Sequence, residues 1–208
     1  MYLPEQLRKF TILPVLVVDS VAQAVALTEA LRSGGMLAVE ITLRTQVALS
    51  AIREIKQSFP DILLGAGTVN TPADMEAAAE AGADFAVSPG LTRLLAEQAR
   101  SMRMPFLPGV STASEVLGGM ELGYDCFKFF PAAAAGGPAM LRALAGPFPG
   151  ISFCPTGGID MNNAADYLGL PNVLCVGGSW MAGRAQVDAG DWQLITAQAQ
   201  TSLARLRE

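Results

Sequence analysis

This sequence predicts a single-domain α/β fold, a (β/α)8 TIM barrel over residues 1–208 with a short N-terminal helix. Two observations lead to that prediction. First, short apolar runs alternate with helix-like segments along the whole chain, and the runs are rich in Val, Ile, Leu and Phe without strict alternation. That pattern is typical of parallel strands buried on both faces. Second, eight strand–helix units fill 208 residues at about 26 residues each, the small end of the range for this barrel.

The elements follow a short helical segment at 4–9 and come in eight pairs. Each strand is assigned from an apolar run, and each helix from the helix-forming stretch that follows it. Residues suited to N-caps precede four of the helices, namely Ser20, Thr71, Ser111 and Asp191. The strand–helix pairs are 11–18 with 21–33, 36–42 with 47–58, 61–66 with 72–81, 84–88 with 92–101, 104–108 with 113–122, 125–129 with 138–145, 151–155 with 161–168, and 173–177 with 192–205.

A doubly wound open sheet is the alternative fold. Such sheets usually have fewer strands and often carry a glycine-rich fingerprint after the first strand. Here the first strand is followed by Asp19, Ser20 and Val21, with no glycine. The chain also shows no linker and no low-complexity tract, so the sequence favours one barrel domain.

Composition excludes several function classes. The net charge is −5 without a basic run, so we expect no nucleic-acid partner. Neither a long apolar stretch nor an apolar leader occurs, so we expect no membrane partner and a cytoplasmic location. The chain has no histidine, which removes Ser-His-Asp catalysis and the commonest zinc ligand. Cys126, Cys154 and Cys175 lie singly in apolar runs, so we expect no disulfide, no metal and no cofactor.

Polar residues and glycines concentrate at the carboxyl ends of the predicted strands, where barrel enzymes carry their active sites. Lys128 stands out because it lies in the aromatic run 127–130, whereas Lys9 and Lys56 lie in polar helices. Burial disfavours the charged form of a lysine, and a neutral lysine forms Schiff bases with carbonyl groups. A structural ion pair is the alternative role, and the position at the rim favours catalysis.

Schiff-base chemistry needs a proton shuttle, and without histidine that group must be a carboxylate, a tyrosine, a second lysine or water. Glu40 is the best candidate because it is a carboxylate inside the apolar strand 36–42. An ion pair that only holds the barrel together is its alternative role. Arg44 is expected to clamp a substrate carboxylate with two parallel hydrogen bonds, or else to lie solvated in a loop.

Glycine pairs follow the seventh and eighth strands. Residues 157–158 come directly after Thr156, and residues 177–178 come directly before Ser179. The loops after these strands are the usual phosphate site of the fold, because glycine lets backbone N–H groups approach phosphate oxygens. Tight turns explain most single glycine pairs, but two pairs on adjacent loops, each beside a hydroxyl residue, indicate a phosphate site.

Seven segments, in order and over nearly the whole chain, match one family: EITLRT (40–45), GAGTV (65–69), SPGLT (88–92), FKFFPA (127–132), AGPF (145–148), CPTGGI (154–159) and GGSW (177–180). They resemble the bacterial 2-keto-3-deoxy-6-phosphogluconate (KDPG) and 4-hydroxy-2-oxoglutarate (KHG) aldolases. The resemblance implies a metal-free class I aldolase that forms a homotrimer of TIM barrels. Its expected reaction cleaves KDPG to pyruvate and glyceraldehyde 3-phosphate, with KHG cleavage to pyruvate and glyoxylate as a second activity.

The resemblance also implies a role for each matching site residue. Lys128 is expected to be the Schiff-base lysine and Glu40 the acid–base group. Arg44 and Thr68 are expected to bind the carboxylate of the pyruvate half. The other expected site residues are Phe130, Pro89 and Thr156 in the substrate pocket, and Gly157, Gly158, Gly178 and Ser179 at the phosphate.

One segment departs from the family pattern. Some members carry an arginine at the end of the first strand that helps bind phosphate, but residues 13–19 contain no basic residue. We therefore expect backbone amides and Ser179 to hold most of the phosphate. Three alternatives stay open: a 2-keto-3-deoxy-6-phosphogalactonate aldolase, a phosphosugar isomerase or epimerase on the same barrel, and a binding module without turnover. The isomerase needs no buried lysine, and an intact Lys128 with Glu40 argues against the binding module.

Overall fold

The computed structural model describes residues 2–206, which form an α/β fold built on a curled parallel sheet. Residues 1, 207 and 208 of the predicted domain lie outside that range. Six strands pair in the order β5-β4-β3-β2-β1-β9, and three pair in the order β6-β7-β8. The strands are β1 Ile12–Leu16, β2 Ala38–Thr42, β3 Leu63–Gly67, β4 Phe85–Val87, β5 Phe106–Leu107, β6 Gly109–Val110, β7 Cys126–Phe129, β8 Ser152–Pro155 and β9 Val176–Gly178.

The helices confirm the predicted alternation, because a helix follows each of the eight predicted strands. One helix was not predicted. It is α9, six residues long, and it comes after a 3-10 turn at Trp180–Ala182. Such a short segment carries no helical periodicity that a sequence could reveal. The helices are α1 Leu3–Leu7, α2 Val21–Ser33, α3 Ala48–Ser58, α4 Pro72–Glu80, α5 Arg93–Met102, α6 Ala113–Glu121, α7 Gly137–Ala145, α8 Ala164–Leu168, α9 Arg184–Ala189 and α10 Trp192–Leu206.

The fifth strand was predicted over 104–108 and contains β5, and Pro108 separates β5 from β6, a two-residue strand that was not predicted. Proline has no N–H to donate to the ladder, so regular pairing stops at this residue. Its carbonyl oxygen still accepts a hydrogen bond from the Lys128 N–H at 2.9 Å. The chain therefore passes from the six-stranded sheet to the three-stranded sheet at one residue.

Side-chain caps start several helices. Ser20 accepts a hydrogen bond from the Gln23 N–H at the start of α2, as predicted. The predicted cap Ser111 is wrong by one residue, because Thr112 caps α6. Thr112 is the cap rather than Ser111 because Glu115 lies three residues after it, and the two form a reciprocal capping box.

The core is apolar on both sides of the strands. The larger cluster of buried residues packs the helices onto the sheet, and a smaller one joins α1 to the amino-terminal ends of the strands. Leu3 and Leu7 of α1 contribute to this second cluster, so α1 covers that end of the sheet. None of the helices within residues 2–206 combines the length and apolarity needed to span a bilayer.

Candidate active site

Lys128 and Glu40 lie side by side in the interior although 88 residues separate them in the chain. The Lys128 Nζ donates a hydrogen bond to Glu40 Oε1 at 3.2 Å. Lys128 lies in β7 and Glu40 lies in β2, and their side chains are 7% and 1% exposed. The fold thus brings the predicted nucleophile and the predicted proton shuttle into direct contact.

Two neighbours shape the space around this pair. Gly67 at the end of β3 leaves room for the carboxylate, because a Cβ at this position would overlap Glu40 Oε1. The ring centroid of Phe130 lies 5.5 Å from Lys128 Nζ, within the range of a cation–π contact. The ammonium is therefore held between a carboxylate and an aromatic face.

Arg44 and Thr68 meet just beyond the carboxyl ends of β2 and β3. The Nε of Arg44 donates a hydrogen bond to Thr68 Oγ1 at 3.3 Å. Thr68 has a φ of 59°, a left-handed conformation that residues with a Cβ seldom adopt and that is often found at functional sites. Arg44 is exposed, and a guanidinium beside a hydroxyl is well suited to a carboxylate ligand.

The loops after β8 and β9 lie next to each other, because Thr156 and Gly177 form a parallel bridge. The loop after β8 is also tied to the loop after β7. The carbonyl oxygen of Thr156 accepts a hydrogen bond from the Ala132 N–H at 2.8 Å. These bonds hold the predicted phosphate loops in one place at the rim.

The backbone of these loops presents N–H donors. Gly157 and Gly158 have φ angles of 103° and 73°, which only glycine adopts readily. Among the hydrogen bonds described for residues 2–206, none uses the N–H of Gly157, Gly158 or Ser179. Successive N–H groups in a glycine-rich loop are suited to binding an anion.

A cavity of about 590 Å³ opens over these loops. Its lining contains two charged residues, Arg44 and Arg184, and Arg184 is paired with carboxylates outside the lining. One wall is apolar and includes Val15 and Val17 from the first strand and its end. The lining contains seven of the predicted site residues: Arg44, Phe130, Thr156, Gly157, Gly158, Gly178 and Ser179.

Four predicted site residues lie outside that lining: Lys128, Glu40, Thr68 and Pro89. The first three remain connected to the cavity. Phe130 forms part of the lining and lies over Lys128, which contacts Glu40, while Arg44 of the lining contacts Thr68. Pro89 is different. It is exposed, and its backbone lies so close to Gly109 that a Cβ on Gly109 would overlap it.

The three cysteines lie in the apolar cluster that α1 covers, and Cys154 of β8 is the register partner of Lys128. Burial raises the pKa of the Cys126 thiol. The pKa of Cys175 is also raised, by its hydrogen bond to Cys154 at 3.3 Å and by burial. The thiols of Cys126 and Cys175 therefore stay protonated and are poor nucleophiles. Within residues 2–206, no three carboxylates or thiols converge as a metal-binding group would.

The structure adds Arg184 to the residues that line the cavity. It lies at the first position of α9 and pairs with Asp19, which follows the first strand. Neither residue was predicted to be at the site. The sequence carried no signal for Arg184, because α9 itself was not predicted and an arginine in a presumed loop is usually solvated.

Comparison with known proteins decides the family. The sequence model of the family described as "Aldolase: KDPG and KHG aldolase" matches residues 3–198. The chain belongs to the KDPG/KHG aldolase family. The family model matches almost the whole chain, and the matched region includes every element that builds the site.

Individual members of the KDPG/KHG aldolase family agree. The 2-dehydro-3-deoxy-phosphogluconate aldolase of Pseudomonas aeruginosa is 48% identical over 201 residues, which are 97% of this chain and 91% of that protein. The KHG/KDPG aldolase of Escherichia coli K12 is 47% identical over 192 residues, 92% of this chain and 90% of that protein. The KDPG aldolase of Legionella pneumophila, crystallised with pyruvate captured as a covalent carbinolamine, superposes with a TM-score of 0.93 at 46% identity, covering 96% and 97% of the two chains.

Proposed function

We propose that this protein is a class I aldolase that cleaves KDPG to pyruvate and glyceraldehyde 3-phosphate through a Schiff base on Lys128. The observation that carries the proposal is the buried contact between Lys128 Nζ and Glu40 Oε1 at 3.2 Å, beneath a ring that lines the cavity. The covalent pyruvate adduct in the Legionella enzyme supports the same chemistry.

Glu40 activates Lys128 in this mechanism. An ammonium is not a nucleophile, so Lys128 must first give up a proton, and Glu40 Oε1 is within hydrogen-bond distance to accept it. The neutral amine then attacks the C2 carbonyl carbon of KDPG and forms a carbinolamine. Glu40 then returns its proton to the C2 oxygen, which leaves as water, so that an iminium forms between Lys128 and C2 and Glu40 is a carboxylate again.

The iminium then acts as an electron sink. Glu40 removes the proton of the C4 hydroxyl, directly or through one water molecule, and the C3–C4 bond breaks. Its electron pair moves to C3 and forms an enamine, while C4 leaves as the aldehyde of glyceraldehyde 3-phosphate. Protonation of C3 gives the iminium of pyruvate, and its hydrolysis releases pyruvate and restores the Lys128 amine.

The two anionic ends of KDPG match the two ends of the site. Arg44 and Thr68 bind the carboxylate, because their contact places a guanidinium and a hydroxyl together near β2 and β3. Gly157, Gly158 and Ser179 donate N–H groups to the phosphate. Gly178 completes the phosphate end, and Phe130, Pro89 and Thr156 form the substrate pocket.

KHG cleavage is a second activity that this site supports. KHG has no phosphate, and the end of the first strand presents Val17 rather than a cation to the cavity. The similar Escherichia coli protein is named for both substrates. We propose that KHG is cleaved with a higher KM than KDPG, because it leaves the N–H donors at the phosphate end unused.

We also propose that the two sheets close into an eight-stranded barrel. Only Pro108 separates β5 from β6, which supports a single interrupted strand. At the other join, the Leu174 N–H donates to the Phe153 carbonyl oxygen at 2.9 Å. Closure explains why side chains from β2 and β7, which belong to different sheets, meet in the interior.

The proposed assembly is a homotrimer in the cytoplasm. Leu94 of α5 is 67% exposed, and Leu117 and Met120 of α6 are 52% and 43% exposed. An apolar face of this kind is typical of a contact between subunits. The three free cysteines support a reducing location.

Trapping with borohydride tests the Schiff base. The protein is incubated with pyruvate and sodium borohydride and analysed by peptide mass spectrometry. We expect one reduced pyruvyl adduct, on the peptide that contains Lys128, because an iminium to pyruvate is reduced to a stable secondary amine. The Lys128→Met variant should give no adduct, and the exposed-site control Lys9→Met should label like the wild type.

A folded wild-type sample without an adduct would overturn the proposal and leave the isomerase or the binding module as the better interpretation. Substrate identity is tested separately by coupling the released glyceraldehyde 3-phosphate to its dehydrogenase. We expect turnover with KDPG. Turnover that favours the phosphogalactonate epimer would contradict the assignment to the gluconate series.

A further inference from the structure

We propose that Arg184 binds the substrate phosphate and makes the enzyme prefer phosphorylated over unphosphorylated keto acids. The inference rests on the proposed aldolase function and adds a residue to its phosphate end. Arg184 is the first residue of α9, five residues after Ser179, and it lies in the lining of the same cavity as Gly157 and Gly158.

The number of charges in the cavity leads to this assignment. KDPG carries two anionic groups, a carboxylate at one end and a phosphate at the other. The cavity lining contains two charged residues, Arg44 and Arg184, and both are cations. Arg44 contacts Thr68 and belongs to the carboxylate end. Arg184 follows the loop after β9 that carries Ser179, so we assign it as the cation for the phosphate.

Arg184 is held in place by two carboxylates. Its Nη2 lies 2.6 Å from Asp19 Oδ2, and its Nε lies 2.8 Å from Asp188 Oδ2. The hydrogen bond to Asp188 and the charge of Asp19 raise the pKa of the guanidinium, which remains a cation at every working pH. The two carboxylates also keep the cation near the cavity mouth before substrate arrives.

These ion pairs are weak enough to be exchanged. The side chain of Arg184 is 65% exposed, and those of Asp19 and Asp188 are 45% and 49% exposed. Exposed pairs in water contribute little to stability, whereas a phosphate is a doubly charged acceptor that suits the guanidinium fork. The guanidinium can therefore shift from Asp19 to the phosphate at small cost.

The assignment explains how both substrates can be accepted. With an unphosphorylated substrate such as KHG, Arg184 keeps its pairs with Asp19 and Asp188, so no unpaired charge remains in the cavity. With KDPG, the phosphate gains a cation in addition to the backbone N–H groups. Arg184 thus raises the affinity for one substrate class without penalising the other.

Steady-state kinetics of Arg184→Gln with the two substrates test the proposal. We expect the KM for KDPG to rise roughly tenfold, as for the loss of one charge-assisted hydrogen bond at a partly exposed site. The KM and kcat for KHG should change less than about twofold, because KHG does not reach this residue. Asp188→Asn is the matched control, since it removes one ion pair but keeps the cation and its pair with Asp19, and its KM for KDPG should rise far less than that of Arg184→Gln.

The control separates binding from a structural role. If Arg184 only anchored α9, the two variants would change both substrates alike, and this result would overturn the inference. An unchanged KM for KDPG in Arg184→Gln would also overturn it, while wild-type cleavage and the Lys128 adduct would leave the aldolase function standing. Absence of cleavage and of the adduct in the wild type would instead refute the proposed function itself.

Discussion

Burial of the ion pair between Lys128 and Glu40 costs the folded state free energy. Both side chains are almost fully buried, and an ion pair at such a place recovers its desolvation cost only with good geometry. Apolar residues of similar volume would pack the interior at least as well. The pair is therefore better explained by chemistry than by stability, because it places a proton acceptor within hydrogen-bond distance of the lysine.

Replacement of Glu40 by glutamine separates the two roles of this pair. We expect the kcat for KDPG cleavage to fall by about 10²–10⁴-fold, the usual contribution of general acid–base catalysis. The amide retains the shape and a hydrogen-bonding oxygen beside Lys128, and a buried lysine without a carboxylate is more readily neutral. The borohydride adduct with pyruvate should therefore still form on Lys128.

The exposed control for this experiment is Glu97→Gln, which removes a surface carboxylate paired with Arg93. Its kcat should match that of the wild type. A Glu40→Gln enzyme that keeps more than about a tenth of the activity would contradict the acid–base role. The adduct on Lys128 shows in the same samples that the variant is folded.

At the scale of elements, local signals were strong where the chain is regular. Helix α2 was predicted with both of its observed ends, because Ser20 caps it and glycine follows it. The sequence did not predict β6, which follows Pro108, or α9. Both segments are too short to show a periodic pattern.

The cap of α4 offers a test at this scale. Thr71 accepts a hydrogen bond from the Asp74 N–H at 3.1 Å, and the Asp74 carboxylate accepts one from the Thr71 N–H at 2.9 Å. We expect Thr71→Ala to lower the free energy of unfolding by about 1 kcal/mol, because it leaves a backbone N–H at the helix start without its partner. Urea unfolding at one fixed protein concentration measures the change. The exposed Thr201→Ala in α10 is the control, and an equal shift in both variants would refute the capping role.

At the scale of the whole molecule, α5 and α6 present the apolar face that we assign to the trimer. The two helices are joined where the Arg100 guanidinium donates to the Leu122 carbonyl oxygen at 2.8 Å. Leu94 and Leu117 are the most exposed large apolar residues on the two helices. Contact with another copy of the chain would remove this surface from water.

The double variant Leu94→Glu with Leu117→Glu should break that contact, because each copy would place two uncompensated charges in an apolar interface. Sedimentation equilibrium should then detect single chains of 21.7 kDa in place of three-chain particles. Leu194→Glu, at a position in α10 that is 41% exposed, is the control and should stay trimeric. Dissociation by the control alone would place the interface on α10 instead.

The sequence by itself determined the order of the elements and the family, and it predicted most of the residues that we propose for the site. Apolar runs report burial along the chain, and a lysine within aromatic residues is unusual enough to mark a site without any structure. Only the tertiary structure decided which groups meet. The contact of Glu40 with Lys128 joins residues 88 positions apart in the chain. Arg184 lines the cavity from α9, a helix that no local sequence pattern predicts. Distances between residues far apart in the chain are set by sheet pairing and packing, and these are properties of the folded molecule.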